Sequence, residues 1–212
     1  MSHPEFLLVP LLMISDYILT IAGARMREGG YAEHFRTPHY ELNPIWQKAV
    51  RRARWFNLRH LALVVLVTTL FFAIGNLSRL PDDPQIAFLL GFVIGIQGAL
   101  NGRHLGNLAI FAAIRRRPGD VRGEVTMSHE LTLRLSMFQN LAVLLPLVLL
   151  VAFVPNPTVW GTCAGVAALM LVHILWIARQ RRSMRMAATQ AGASDGSADS
   201  LSSSTASGTN LP

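Results

Sequence analysis

Residues that can bind a metal or transfer a proton are concentrated in one short run of the sequence, AEHFRTPHYELNP at 32–44. The run holds two carboxylates and two imidazoles: Glu33, His34, His39 and Glu41. Both groups are ligands for zinc and other divalent metals. Their spacing matches no closed metal motif, and the H-E-x-x-H pattern is absent from the chain. A divalent metal, with His104 as a further ligand, is therefore one hypothesis for a cofactor that the sequence does not otherwise identify.

An acidic residue also lies within the first apolar stretch, where a bilayer disfavours charge. Asp16 is well inside an apolar stretch, at a depth of about 15 Å of helix. A charge near the middle of a bilayer is costly, so Asp16 must face the protein interior or water, or be neutral. Thr20 lies one turn further on the same face and can share a partner. Asp16 either belongs to a functional site or, as a neutral side chain, holds helices together by hydrogen bonds.

A row of polar residues occupies one face of a later helix. Gln97, Asn101 and His104 superpose at the helical period, Asn107 flanks them, and Arg103 can extend toward lipid phosphates. Amides and an imidazole inside a bundle can hold helices together, form a ligand surface or supply half of a metal site. The sequence leaves these three interpretations open.

Five apolar stretches position these residues, each long enough to form a helix across about 30 Å of hydrocarbon. A helical pattern with polar faces extends the third over 107–114 and the fourth over 124–136. Only 15% of the residues are charged, against about a quarter in a soluble domain. The sequence therefore predicts an all-α, polytopic bundle of five transmembrane helices within residues 1–186. The stretches cover 6–24, 60–77, 86–102, 137–154 and 159–178.

The positive charges predict an orientation. Eight Lys and Arg fall between Arg25 and Arg59, six between Arg103 and Arg134, and four from Arg179 onward, whereas the two other loops hold one and none. Because Lys and Arg stay cytoplasmic, the N-terminus is predicted outside and the C-terminus inside, in the plasma (inner) membrane. A cleavable signal peptide is the alternative for the first stretch. Against it, no Lys or Arg precedes the apolar run.

This orientation places most of the unexplained polar residues in or near the cytoplasmic half of the bundle. We therefore expect a polar vestibule that opens to the cytosol and has its floor near Asp16. Its candidate residues are Asp16, Thr20, Glu41, Asn43, Gln97, Asn101, Arg103, His104, Asn107, His129, Glu130, Asn140 and His173.

Partners and chain ends are indicated by composition. The net charge is +7, but the basic residues flank membrane stretches, which favours anionic lipid headgroups over nucleic acid as the partner.

A small-residue face of four glycines predicts close approach of a neighbouring helix, in the same chain or in a homo- or hetero-oligomer. These are Gly91, Gly95, Gly98 and Gly102. The single Cys163 excludes an intrachain disulfide. Residues 187–212, rich in Ala, Ser and Gly, are predicted to be a disordered cytosolic tail.

Three short motifs resemble those of small, uncharacterised prokaryotic multi-spanning membrane proteins. They are D-x-x-x-T at Asp16 and Thr20, E-x-N-P from Glu41 to Pro44, and N-G-R-H-L-G-N from Asn101 to Asn107. The resemblance implies the same fold and no particular reaction. It marks Asp16, Thr20, Glu41, Asn43, Arg103, His104 and Asn107 as residues of interest.

The common catalytic motifs are absent: there is no P-loop, no G-x-S-x-G and no Rossmann glycine pattern. A serine protease of the rhomboid type is disfavoured as well, since no serine in a supporting motif accompanies His173. The favoured interpretation is a non-catalytic multi-pass membrane protein whose cytosolic polar surface binds a partner. The alternatives are a small metal-assisted intramembrane enzyme and an ion or small-solute carrier that uses Asp16.

Overall fold

A computed structural model describes residues 4–28, 32–36, 41, 44–52, 54–77 and 83–204. Its helices are α1 (Leu8–Met26), α2 (Ala32–His34), α3 (Pro44–Arg51), α4 (Leu58–Leu77), α5 (Pro84–Arg116), α6 (His129–Phe153) and α7 (Pro157–Ser204). Two short strands are β1 (Phe35–Arg36) and β2 (Val125–Thr126), and 3-10 turns lie at Pro4–Leu7 and Pro118–Asp120.

Within the described residues, five helices are long and apolar enough to cross a membrane, which confirms the predicted all-α bundle. They are Pro4–Met26, α4, α5, α6 and the Pro157–Met186 part of α7. Large apolar side chains such as Leu66 and Leu149 are exposed along them. Because lipid tails are as apolar as these side chains, such exposure is expected of helices embedded in a bilayer.

Capping residues set where two of the long helices begin. Asp83 accepts a hydrogen bond from the Gln85 amide (2.8 Å) ahead of Pro84, the first residue of α5. Ser128 does the same for the Leu131 amide (3.1 Å) at the start of α6. The predicted extension of α5 past residue 102 is confirmed.

The predicted extension of α6 is confirmed from His129 onward and wrong for 124–128. Gly123 has a positive φ of 83°, and the chain then runs through β2 before Ser128 caps the helix. A helical pattern in the sequence cannot continue through a residue in the left-handed region.

Helix α1 lies at the centre of the packing and contacts both α4 and α5. Phe6, Val9 and Met13 are buried in one cluster with Phe71 of α4 and Leu90 of α5. The Phe6 ring meets the Phe71 ring with centroids 5.8 Å apart. This apolar cluster fixes the face that α1 turns to α5, and so places Asp16 and Thr20 against that helix.

Helices α5 and α7 cross closely at four glycines. A Cβ added to Gly91 or Gly95 would overlap the carbonyl oxygen of Thr158 or Thr162. A Cβ added to Gly161 or Gly165 would overlap the carbonyl oxygens of Phe88 and Phe92. The predicted close approach therefore occurs within the chain at Gly91 and Gly95, whereas Gly98 and Gly102 have open space beside them.

The loops after α1 and α5 meet in a two-stranded parallel sheet that the sequence did not predict. Phe35 pairs with Val125 and Arg36 with Thr126. The Arg36 Nε and the Glu124 carboxylate form an exposed ion pair at 2.8 Å. The sheet ties the two loops together at one end of the bundle, which we call the loop-side end: the C-terminal ends of α1 and α5 and the N-terminal ends of α4 and α6.

Helix α3 was not predicted either. Its Val50 is buried with Ile21 and Ala24 of α1, and Trp46 packs against the same cluster. Helix α7 runs to Ser204, and its described residues from Ile174 onward form a separate compact unit. The disorder expected of 187–212 stays a prediction.

Candidate functional site

Helices α1 and α5 bring an acid, a hydroxyl and an imidazole together. His104 Nε2 lies 3.4 Å from Asp16 Oδ1 and 3.1 Å from Thr20 Oγ1. Thr20 Oγ1 also lies 2.8 Å from the Asp16 carbonyl oxygen, which can only accept, so the hydroxyl donates there. The hydroxyl oxygen can then accept a hydrogen bond from a protonated Nε2 of His104, whereas the guanidinium of Arg103, which only donates, requires an unprotonated Nε2. The two contacts therefore correspond to opposite tautomers of His104.

A second group of contacts extends the site to α6 and α7. Arg103 donates from Nη1 to Ser136 Oγ at 2.9 Å, and its Nη2 lies 3.4 Å from His104 Nε2. Ser136 Oγ lies 3.1 Å from His173 Nε2. His173 Nδ1 donates to the Leu169 carbonyl (2.8 Å), so in the neutral ring Nε2 accepts the Ser136 hydroxyl proton. The hydrogen bonds therefore run in one direction, from Arg103 through Ser136 to His173.

Together these six side chains form what we call the polar cluster: Asp16, Thr20, Arg103, His104, Ser136 and His173. Its members come from four helices, and most of them are buried: His173 is 1% exposed, His104 3% and Ser136 4%. The Asp16 side chain is 21% exposed. Ser136 is two turns into α6, about 10 Å from its first residue, so the cluster lies toward the loop-side end.

Charge is concentrated around Arg103 and Asp16. The guanidinium of Arg103 is close enough for its charge to act on Asp16, His104 and His173. The carboxylate of Glu41, in the loop before α3, also acts electrostatically on Asp16. The structure thus brings predicted residues of the first and third transmembrane helices into contact, and the charge of Glu41 in the first loop acts on one of them.

The amide side chains beside the cluster differ in their hydrogen bonds. Asn101 accepts from the Ser15 hydroxyl at 2.6 Å and donates to the carbonyls of Leu12 (3.1 Å) and Gln97 (2.8 Å). It is therefore a link between α1 and α5. In contrast, Gln97 Oε1 and Asn140 Nδ2 are buried and have no hydrogen-bond partner among the described residues. Asn140 is 2% exposed, one turn from Ser136 on α6.

Other predicted vestibule residues lie apart from these contacts. Glu130 forms an ion pair with Arg134 at 2.6 Å, and His129 begins the same helix. Asn107 is half-buried further along α5. Asn43 lies outside the described residues.

The predicted metal ligands of the first loop are not brought together in the part of the chain that is described. His34 Nδ1 lies 3.1 Å from the Gly123 carbonyl, beside the β1–β2 sheet. His39 and the Glu33 side chain lie outside the described residues, and the Glu41 carboxylate acts electrostatically on Asp16. Among the described residues, no three His, Cys, Asp or Glu side chains form a group that could hold a metal ion. The metal hypothesis stays a prediction.

Sequence reasoning missed Ser136 as a member of the site. Ser136 lies beside His173 in the structure, 37 positions earlier on α6, although no supporting motif surrounds it in the sequence. Its only signal was the one-turn spacing to Asn140, which places two polar side chains on one face of an apolar helix. Because Arg103 donates to the same oxygen and the side chain is almost fully buried, Ser136 acts as a bridge between helices.

Comparisons with family models, curated proteins and solved structures found no match to this chain.

Proposed function

We propose that this multi-pass membrane protein is a carrier that takes up a proton or an alkali cation at Asp16 of the polar cluster. One observation supports the proposal above the others. Asp16 Oδ1 is buried and makes no hydrogen bond with the described residues, although His104 Nε2 lies 3.4 Å away. A sheltered carboxylate oxygen is costly unless a proton, an ion or a donor satisfies it.

A proton on Asp16 fits the contacts that surround it. The Glu41 carboxylate and the Arg103 guanidinium act on Asp16 with opposite charges. A proton bound on Oδ1 makes that atom a donor, and the Nε2 atom of His104 lies 3.4 Å away.

Burial favours this proposal over a binding surface for a protein partner. The side chains of His104, Ser136 and His173 are 1–4% exposed, so a protein partner cannot reach them, but a proton or small ion can. The carrier proposal rests on Asp16, which the bilayer disfavours without a functional or structural reason.

Flux through purified protein in liposomes tests the proposal. With an imposed pH gradient and a trapped pH-sensitive dye, or with an imposed sodium or potassium gradient and the matching indicator, we expect flux above that of protein-free liposomes. Asp16→Asn keeps the shape of the side chain and should reduce the flux to background. Glu130→Gln removes a carboxylate outside the cluster and should leave it unchanged.

The two gradients distinguish the proton from the alkali cation. Flux equal to that of empty liposomes in both would contradict the proposal. So would an Asp16→Asn protein that elutes as the wild type does and carries the ion equally well, because Asp16 would then only link helices.

A further inference from the structure

A basic cavity lies at the loop-side end, and no residue of the polar cluster lines it. It has a volume of about 670 Å³ and is formed by α3 and by the segment that leads into α4. Four cationic side chains line it together with two aromatic rings, and its described lining contains no carboxylate. The six are Lys48, Arg52, Arg54, Arg59, Trp46 and Phe56.

The cavity adjoins the level at which the membrane-spanning part of α4 begins. Leu58 is the first residue of that span, and it lines the cavity. Phe56 and Leu58 are 66% and 70% exposed although they are apolar. Exposed apolar side chains beside exposed cations are typical of a protein surface at the boundary between hydrocarbon and headgroups.

Several contacts hold the walls of the cavity in place. The Tyr17 hydroxyl of α1 donates to the Arg54 carbonyl at 2.6 Å. Asn57 Oδ1 accepts from the Arg59 amide at 3.0 Å and so caps the start of α4. Trp46 meets the His60 ring edge-on, with centroids 5.9 Å apart. The cations therefore project from a fixed backbone, which favours a defined ligand site over a diffuse basic surface.

We propose that this cavity binds an anionic phospholipid through its phosphate groups, and that a headgroup with two phosphates, as in diphosphatidylglycerol, binds most tightly. Four cations can pair with two phosphates, and the space exceeds what one phosphate fills. Basic pockets at the cytoplasmic ends of membrane helices are suited to such headgroups. The exposed Phe56 and Leu58 lie where the acyl chains would leave the headgroup. This inference does not depend on the carrier proposal, because no residue of the polar cluster takes part.

Lipid binding to the full-length protein in detergent tests the inference, since no charged bilayer is then present. Native mass spectrometry would count bound lipid after addition of phosphatidylcholine, phosphatidylglycerol or diphosphatidylglycerol. We expect the wild type to retain diphosphatidylglycerol best and phosphatidylcholine least. The triple variant Lys48→Gln/Arg54→Gln/Arg59→Gln should weaken retention by about tenfold or more, given the contribution of each cation.

The chain offers a matched control in three consecutive exposed arginines at the end of α5. Arg115→Gln/Arg116→Gln/Arg117→Gln removes the same charge elsewhere and should leave retention nearly unchanged. Equal loss in both triple variants would overturn the proposal in favour of diffuse attraction. Equal binding of phosphatidylcholine by the wild type would also overturn it, and that comparison does not depend on how a variant folds. If millimolar inorganic phosphate displaced the lipid completely, the site would be one for free phosphate instead.

Discussion

Asn101 and Asp16 lie on helices that face each other, but they differ in whether their buried polar atoms have hydrogen-bond partners among the described residues. Both ends of the Asn101 amide are hydrogen-bonded, to the Ser15 hydroxyl and to two backbone carbonyls. Asp16 Oδ1 is equally sheltered and has no such bond within the described residues. A satisfied amide is part of the framework, whereas an unsatisfied carboxylate oxygen is suited to a ligand. The proposed function follows from this difference between two side chains.

The framework role of Asn101 can be measured. Asn101→Leu should lower the free energy of unfolding by about 1–3 kcal/mol, because the Leu12 carbonyl and the Ser15 hydroxyl lose a partner. Thermal unfolding of the purified protein would report the change. Asn76→Leu, at an exposed position of α4, is the control and should have little effect. Equal stability of the Asn101 variant and the wild type would show that the hydrogen bonds between α1 and α5 are dispensable.

At the scale of elements, the crossing of α5 and α7 depends on glycines that face each other. Gly95→Ala places a methyl group on the Thr162 carbonyl oxygen, so the helices must separate, and such overpacking costs about 1–3 kcal/mol. Gly98→Ala, one turn away, meets open space and should be neutral or slightly stabilising, because Ala favours helix. The two variants differ only in what lies opposite the new methyl group.

Unfolding midpoints in the same detergent would compare them. A Gly98→Ala protein that is as destabilised as the Gly95→Ala protein would contradict the crossing within one chain. It would indicate instead that the glycine face meets a second copy, as the sequence also allowed.

The long helices could be predicted from the sequence because hydrocarbon thickness imposes their length and polarity. The contact between Asp16 and His104 could be predicted only as a hypothesis. Asp16 and Thr20 are 84 or more positions from His104 in the sequence, and the sequence does not show which faces of α1 and α5 pack together. Helix α3 begins at Pro44, and proline is common at a first helical position, but its eight residues are too few to form one of the long apolar stretches that the sequence shows.

The two-residue strands gave no signal either. A parallel pair between residues 90 positions apart leaves no local pattern in the sequence, and only the folded bundle brings Phe35 beside Val125. Ser136 was missed for a related reason. One hydroxyl on an apolar helix is ordinary, and its partners Arg103 and His173 come from two other helices.

At the scale of the whole molecule, the proposed lipid site needs the loop-side end to face the cytosol. The basic cavity and the polar cluster lie toward this end, and the blocks of positive charge predict it to be cytoplasmic. A proton or cation bound at Asp16 would then exchange with the cytosol, and the cavity would meet the inner leaflet. The opposite orientation would place four cavity cations on the side where translocation of positive charge is disfavoured.

Cysteine accessibility in intact cells measures the orientation directly. In a Cys163→Ser background, Ser183→Cys should react with a membrane-impermeant maleimide only after the cells are opened, because Ser183 lies in the basic segment at the C-terminal end of the fifth span. Asn156→Cys, in the short loop between α6 and α7, should react in intact cells. Both positions are on α7 or beside it, so the pair reports the two ends of one helix. Labelling of Ser183→Cys in intact cells would reverse the orientation, and the cavity would then face outward, away from the leaflet in which its proposed lipid was placed.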